Sequence, residues 1–110
     1  MITNSDFSKI DIRVGTIIEV RHNELSNNSS LILIINFGEK IGLKKTSAQL
    51  ISNYTIESLV NMQVAAVINL PSKQIGKMLS EVLILGFPDN NNNPVLVMPA
   101  SKIPNGGKLF

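Results

Sequence analysis

Two stretches of this 110-residue chain gather the groups that could meet a ligand. The block Gly42-Leu43-Lys44-Lys45-Thr46-Ser47-Ala48-Gln49 sets two lysines, two hydroxyls and an amide in a row. Ammonium groups meet phosphates as point charges, and hydroxyls and amides donate to phosphate or sugar oxygens. Lysines also protect edge strands from unwanted pairing, and taken alone this block is better explained that way. The second stretch runs from Asn69 through Pro71, Ser72, Lys73, Gln74, Ile75, Gly76, Lys77, Met78 and Leu79 to Ser80 and Glu81. It mixes cations, an amide and a hydroxyl with apolar side chains, as a surface that contacts a chain does. A long polar loop with its own apolar anchor would look the same.

Catalytic constellations are not found. His22 is the only histidine. A nucleophilic triad needs its base held by a second group, and a metal site needs several clustered ligands. His22 with Glu24 offers two groups on a loop. Asp11, Glu19 and Glu81 are scattered, and no phosphate loop or dinucleotide fingerprint occurs. The expectation is a binding protein without enzymatic activity, bound metal or cofactor.

The elements that must position the two stretches read as strands. Ile12, Val14, Ile18 and Val20 alternate with Arg13, Gly15, Glu19 and Arg21, the period of a half-buried strand. Gly15 inside it permits a sharp bend or a bulge. Glu24 to Ser30 is a polar loop. Leu31 to Phe37 is a strand apolar on both faces, Gly38-Glu39-Lys40 a turn, and Ile41 to Ser47 a third strand containing Gly42. Thr55 can cap a short helix through Leu59, with Glu57 near the positive end of its dipole. Gln63 to Leu70 is a fourth strand with Val64, Ala66 and Ile68 inward, ended by Pro71. Glu81 to Phe87 is a fifth, Pro94 to Met98 a further short strand, and Pro104 to Gly107 a terminal turn. Three strands, a helix, then two strands and an extension is the order of an all-β, five-stranded Greek-key barrel of the OB type.

Length fits one domain, residues 1–110. Apolar residues make up 44% and charged residues only 16%, against roughly a quarter in average usage. A thin barrel cannot bury that apolar surplus, so a self-association face is expected. Phe7 and Ile10 in a short N-terminal turn, Phe87, and the C-terminal Leu109 and Phe110 are the candidates for a homodimer interface. Residues 1–39 carry three basic and five acidic groups, and residues 40–110 seven lysines and three acids. The basic excess of the second part suggests a basic face without the charge density of a dedicated DNA binder. Aromatic content is 5% with no tryptophan, so base stacking has few partners. There is no cysteine, no basic-then-apolar leader, and no apolar run long enough to cross a bilayer. A cytoplasmic location without membrane insertion follows as the default.

Several blocks, in order, resemble the CsaA family within the tRNA-binding OB domains. Phe7 to Ile17 is similar to its opening, and Asn36 to Gln49 to its centre. Asn69-Leu70-Pro71, Lys73-Gln74-Ile75-Gly76, Ser80 to Phe87 and Pro104-Asn105-Gly106 complete the match over roughly residues 7 to 110. The resemblance implies a homodimer of OB barrels that binds unfolded precursor polypeptides in protein export, and tRNA. The chain departs from the family's pattern in three places. Asn27 to Ile32 stands where a proline- and aromatic-containing stretch is frequent. Ser72 replaces a second proline and Lys73 an arginine, which keeps the charge but loses the planar fork. Leu79 stands where a basic residue is common. The binding surface expected from these readings comprises Arg13, Lys44, Lys45, Ser47, Gln49, Asn69, Lys73, Gln74, Ile75, Lys77, Met78 and Ser80. The rival expectation is a module that recognises tRNA by shape and backbone.

Overall fold

The structure is a computed structural model that describes residues 1–24 and 30–110. Most of the expected Glu24 to Ser30 loop, including Asn27 to Ser29, lies outside the described residues. Helix α1 (Asn4–Ser8) precedes β1 (Ile12–His22), β2 (Leu31–Asn36) and β3 (Leu43–Ala48). Helix α2 (Ile56–Leu59) leads to β4 (Gln63–Val67), β5 (Lys73–Ile75), β6 (Met78–Ser80), β7 (Leu83–Ile84), β8 (Gly86–Pro88) and β9 (Pro94–Leu96). The main sheet has the order β3-β2-β1-β4-β7, and β5–β6 and β8–β9 are small hairpins. Its curvature brings β3 back towards the chain before β7. The result is a five-stranded, nearly closed antiparallel barrel of the OB type, with α2 between the third and fourth strands.

The long first strand sets this shape by changing partners along its length. Ile12 to Thr16 pair with β4, and Thr16 to His22 pair with β2. Where β2 is absent, the C-terminal strap takes its place. Gly107 O accepts from Val14 N, Gly106 N donates to Val14 O, and Leu109 N donates to Ile12 O. The register slips between Ile17 and Glu19, a bulge at Ile18. This corrects the simple alternation of Ile12, Val14, Ile18 and Val20. Ile17 is fully buried and Ile18 is 42% exposed, because the extra residue moves the inward set by one. Gly15 is therefore not the bulge. A Cβ there would lie 2.6 Å from Ile35 Cγ2 and 2.8 Å from the Phe37 ring. Its bare Cα is the surface on which those two core side chains pack.

Other expected boundaries move as well, the second strand ending at Asn36 rather than Phe37. The third strand starts at Leu43, since Gly42 belongs to the turn, its N–H bonded to Gly38 O and its carbonyl to Phe37 N. The fourth strand stops at Val67, four residues short of Pro71. Val64 and Ala66 face the core as expected, but Ile68 is only half-buried, and the next residue turns to side-chain bonding. Asn69 Oδ1 accepts from Asp11 N at 2.9 Å and its Nδ2 donates to Lys9 O at 2.7 Å. The expected fifth strand, Glu81 to Phe87, serves three partners in turn: Glu81 bonds β3, Leu83–Ile84 pair with β4, and Gly86–Pro88 pair with β9. The expected short strand from Pro94 to Met98 ends at Leu96. The N-terminal turn is a helical turn whose Thr3 and Asp6 form a reciprocal capping box.

Ile17, Leu31, Leu33, Ile35, Phe37, Leu50, Leu59, Val64 and Ala66 fill the barrel. Thr55 caps α2 as expected, and α2 inserts Leu59 into the core. The fifth side of the barrel is closed by a short polar relay rather than a ladder. Thr46 Oγ1 donates to Val82 O at 2.8 Å. Its single hydrogen is then used, so Ser80 Oγ, at 3.0 Å, donates to it. Ser47 N in turn approaches Ser80 Oγ at 3.4 Å. Beside the relay, Glu81 N donates to Lys45 O at 2.8 Å and Glu81 Oε1 accepts from Lys45 N at 3.0 Å.

Gly15→Ala should lower stability by about 1–3 kcal/mol through overpacking. Gly107→Ala, whose Cβ would meet Val14 Cγ1 at an ordinary 3.6 Å, should change it much less. Urea midpoints of the two variants, with unchanged slopes, check this. A second expectation concerns the turn at Asp89. Asn93 N, the Asn53 side chain and Asn91 N hold its carboxyl below the ordinary carboxylate value, although slight desolvation opposes them. A depressed folded value stabilises above the unfolded value, and the contribution is lost as pH falls through the folded one. Asp89→Asn should therefore melt below the wild type near neutral pH, and the two should converge in acid. Thermal melts from about pH 7 to about pH 2 read that convergence.

Candidate functional site

The outer face of β1–β2–β3 and the overhanging β5–β6 hairpin enclose a cleft of about 460 Å³. Strand alternation brings Arg21, Ile32 and Lys45 to the sheet side. Arg21 lies opposite Ile32, and Lys45 opposite Ile34 on the same face. The hairpin supplies Lys77, Met78 and Leu79, and the chain after it supplies Glu81. Its turn places Gly76 at a φ of +62°, a conformation that glycine adopts without steric cost. Gln74 Nε2 donates to Gly76 O at 2.9 Å and braces the turn. Ser80 and Glu81, bound to β3 as described, hold the hairpin over the sheet.

The cleft carries three cations against one carboxylate. Arg21 donates to Glu19 at 3.2 Å. Among the described residues, Lys45 and Lys77 make no ion pair. Glu81 has Oε1 engaged by the Lys45 main chain, so its charge sits at one wall. Ile32, the buried Met78 and the half-exposed Leu79 form an apolar floor between the charges. Such a surface can take an anionic group at the rim and apolar area at the base. Among the described residues, no group of three histidine, cysteine or carboxylate side chains could hold a metal ion. His22 is exposed at the end of β1, opposite Leu31.

The structure brings some of the expected binding residues together and separates others. Lys45, Lys77 and Met78 line the cleft. Ser47, Lys73, Ile75 and Ser80 line a smaller recess on the other side of the hairpin. Lys44 is next to Lys45 but points to the opposite face of β3, the face of the buried Thr46. Gln49 is exposed beyond the end of β3, against the Asn92–Pro94 turn. Ser80 is spent on the closing relay and Asn69 on the Lys9–Asp11 segment. Arg13 is held by Asp11 at 2.7 Å and donates to Gly106 O at 2.9 Å, so it clamps the C-terminal strap. Arg21 and Ile32 were missed. The β1 alternation did place Arg21 on a polar face, but its position across from Ile32 and Lys45 depends on register.

The residues expected at a dimer interface are all exposed: Phe7, Ile10, Phe87, Leu109 and Phe110. Leu109 and Phe110 join Ile12, Val14, Ala65 and Ile103 around an apolar furrow of about 460 Å³ on the outer face of β1 and β4. Phe87 stands apart, beside Val95 on the β8–β9 hairpin.

Residues 12–108 match the family model described as "Putative tRNA binding domain". The CsaA chaperone protein from Picrophilus torridus superposes over the whole of both chains, with a TM-score of 0.91 and 44% identity. Chaperone CsaA from Bacillus anthracis gives a TM-score of 0.92 and 35% identity, over 100% of this chain and 99% of that one. A methionine–tRNA ligase of Helicobacter pylori is 38% identical over 103 residues, 93% of this chain and 15% of the ligase. The chain spans about 15% of the length of the ligases it matches. On the family model and the full-length likeness to two CsaA structures, the chain belongs to the tRNA-binding domain family, in its CsaA-type branch.

Proposed function

We propose that this protein is a CsaA-type chaperone that holds unfolded precursor polypeptides for export in the cytoplasm, works as a homodimer and has no catalytic activity. The observation that carries the reading is the cleft with an apolar floor and a cationic rim. Ile32, Met78 and Leu79 offer area to an apolar side chain, while Arg21, Lys45 and Lys77 attract acidic neighbours. The 44% identity over full length to a protein titled a CsaA chaperone supports it. The apolar furrow of Ile12, Val14, Ala65, Ile103, Leu109 and Phe110 is the surface a second copy would cover.

A second reading, binding of tRNA through its backbone, is favoured by the same three cations and by the likeness to methionine–tRNA ligases. The two ligands would share the cleft. Phosphates would meet the rim, and the apolar floor would be of use only to the polypeptide.

Titrating a labelled unfolded precursor peptide and tRNA against the same variants separates these contributions. Lys45→Ala with Lys77→Ala should weaken acidic peptides more than neutral ones. The double change should also flatten the salt dependence of tRNA binding by about two units, one per lost phosphate contact. Leu79→Ser should weaken neutral apolar peptides several-fold and leave tRNA nearly unchanged. Unchanged affinity for both ligands in all variants would place binding elsewhere. Light scattering should give the mass of two chains, and Leu109→Asp should give that of one.

A further inference from the structure

The barrel's closing relay is short, and beyond it no main-chain ladder joins β3 to β7. Two cavities lie along this seam. One, of about 220 Å³, is lined by Ser47, Leu70, Lys73, Ile75 and Leu83 among others. The other, of about 600 Å³, runs on past Gln49 to the Asn92–Pro94 turn. Both are bordered by Ser47, Leu83 and Ile84, so together they form one furrow along the strand direction.

The walls of this furrow carry unpaired main-chain groups. In an antiparallel ladder, successive residues direct their N–H and C=O to opposite sides. Leu85 N donates to Ala65 O, which turns Leu85 towards β4, and Leu83 with it. Ile84 therefore turns its N–H and C=O away from β4, into the seam. On the facing edge, Lys45 directs both groups to Glu81, and Ser47 follows it two residues on. Among the described residues, no main-chain partner crosses the seam to Ile84 or to Ser47 O. An exposed edge of this kind is a template for another extended chain.

The side chains around it select what that chain carries. Leu70 and Leu83 are about half exposed at 48% and 51%, and with Ile75 they wall the smaller recess. At about 220 Å³ it is below the roughly 300–1,000 Å³ usual for small-molecule sites, and it suits a single apolar side chain. Lys73 stands exposed at its mouth without an ion pair among the described residues. A nucleic acid has no ladder of amides to offer Ile84. An extended polypeptide has one, and an acidic residue in it would complement Lys73.

We propose that an extended polypeptide segment adds as a strand to the exposed edge of β7, pairing its main chain with Ile84 and seating an apolar side chain among Leu70, Ile75 and Leu83, with an acidic neighbour at Lys73. This rests on the polypeptide-binding reading above and adds to it a mode of recognition, main-chain pairing, at a second surface of the same hairpin. It lets the protein recognise unfolded chains by what they share, free amides in extended conformation, with little demand on sequence.

The probe is a fluorescein-labelled ten-residue peptide of alternating leucine and serine with one aspartate. It is compared with two isomers N-methylated at either of the two alternate sets of amides. Strand addition predicts that one isomer binds at least tenfold more weakly than the other, because only one set of amides faces Ile84. Leu83→Ser, and separately Ile84→Pro, which removes the donor at an edge that tolerates proline, should each weaken the unmethylated peptide at least fivefold. Circular dichroism and tRNA affinity should stay unchanged and so report an intact fold. Equal binding of the two methylated isomers, or full peptide affinity in both variants, overturns strand addition at β7 and leaves the cleft as the polypeptide site. Failure of the wild type to bind either this peptide or reduced, carboxymethylated α-lactalbumin overturns the polypeptide-binding reading itself.

Discussion

The hydroxyl relay from Ser47 through Ser80 and Thr46 to Val82 is the contact on which the rest of this molecule depends. A five-stranded sheet must curl sharply to meet itself, and here its ends do not meet as strands. Two buried hydroxyls, one carboxylate and the single main-chain bond from Glu81 N to Lys45 O join them instead. Thr46 and Ser80 are nearly inaccessible to water, so each hydrogen bond they make also avoids the desolvation cost of an orphaned polar group, about 1–3 kcal/mol. The same few bonds hang the β5–β6 hairpin from β3. They thereby form the cleft on one side of that hairpin and leave the seam without a main-chain ladder on the other.

The first strand supplies the second constraint. It is long enough to serve β4, β2 and the C-terminal strap, but only because a bulge and a glycine let it coil. Gly15 lies under the Phe37 ring, and a Cβ at Gly106 would fall 2.5 Å from Phe37 O. These are places where backbone and core come closer than any side chain would permit. Asn105 locks the arrangement from the other direction, its Oδ1 accepting from Thr16 Oγ1 at 2.7 Å and Gln63 Nε2 at 3.0 Å. Arg13, with its charge answered by Asp11, belongs to this latch. Arg13 thus holds the fold, while Arg21, Lys45 and Lys77 are left facing the cleft.

That division bears on how one small surface would serve the two proposed ligands. Arg21, Lys45 and Lys77 surround aliphatic side chains, and the stems of the lysines add to the apolar area while their heads stay in water. Lysine presents a mobile point charge with no fixed fork, so it suits anions of varied geometry. On the proposed reading, discrimination would fall to the floor and to main-chain groups, which a polypeptide would use and a phosphate backbone would not.

The sequence by itself determined the barrel class, the order of its elements, the capped helix ahead of the fourth strand and the family. Period-two patterning, Gly15 within the first strand and Thr55 are local signals, each expressed within a few residues. It also marked the two stretches, around Lys45 and around Lys77, that supply much of the cleft. Only the tertiary structure decided which members of those stretches face the cleft. Lys44 and Lys45 are neighbours that alternation sends to opposite faces. Arg21 joins Lys45 through cross-strand register, while Asn69, Ser80 and Arg13 are withdrawn into hydrogen bonds with residues distant in sequence. The bulge at Ile18, the break at Leu85 and the strap along Val14 are likewise products of closure. A strand's own residues state which faces it has; where the barrel must bend, and which polar groups it must use to close, is settled only when all the strands are in place.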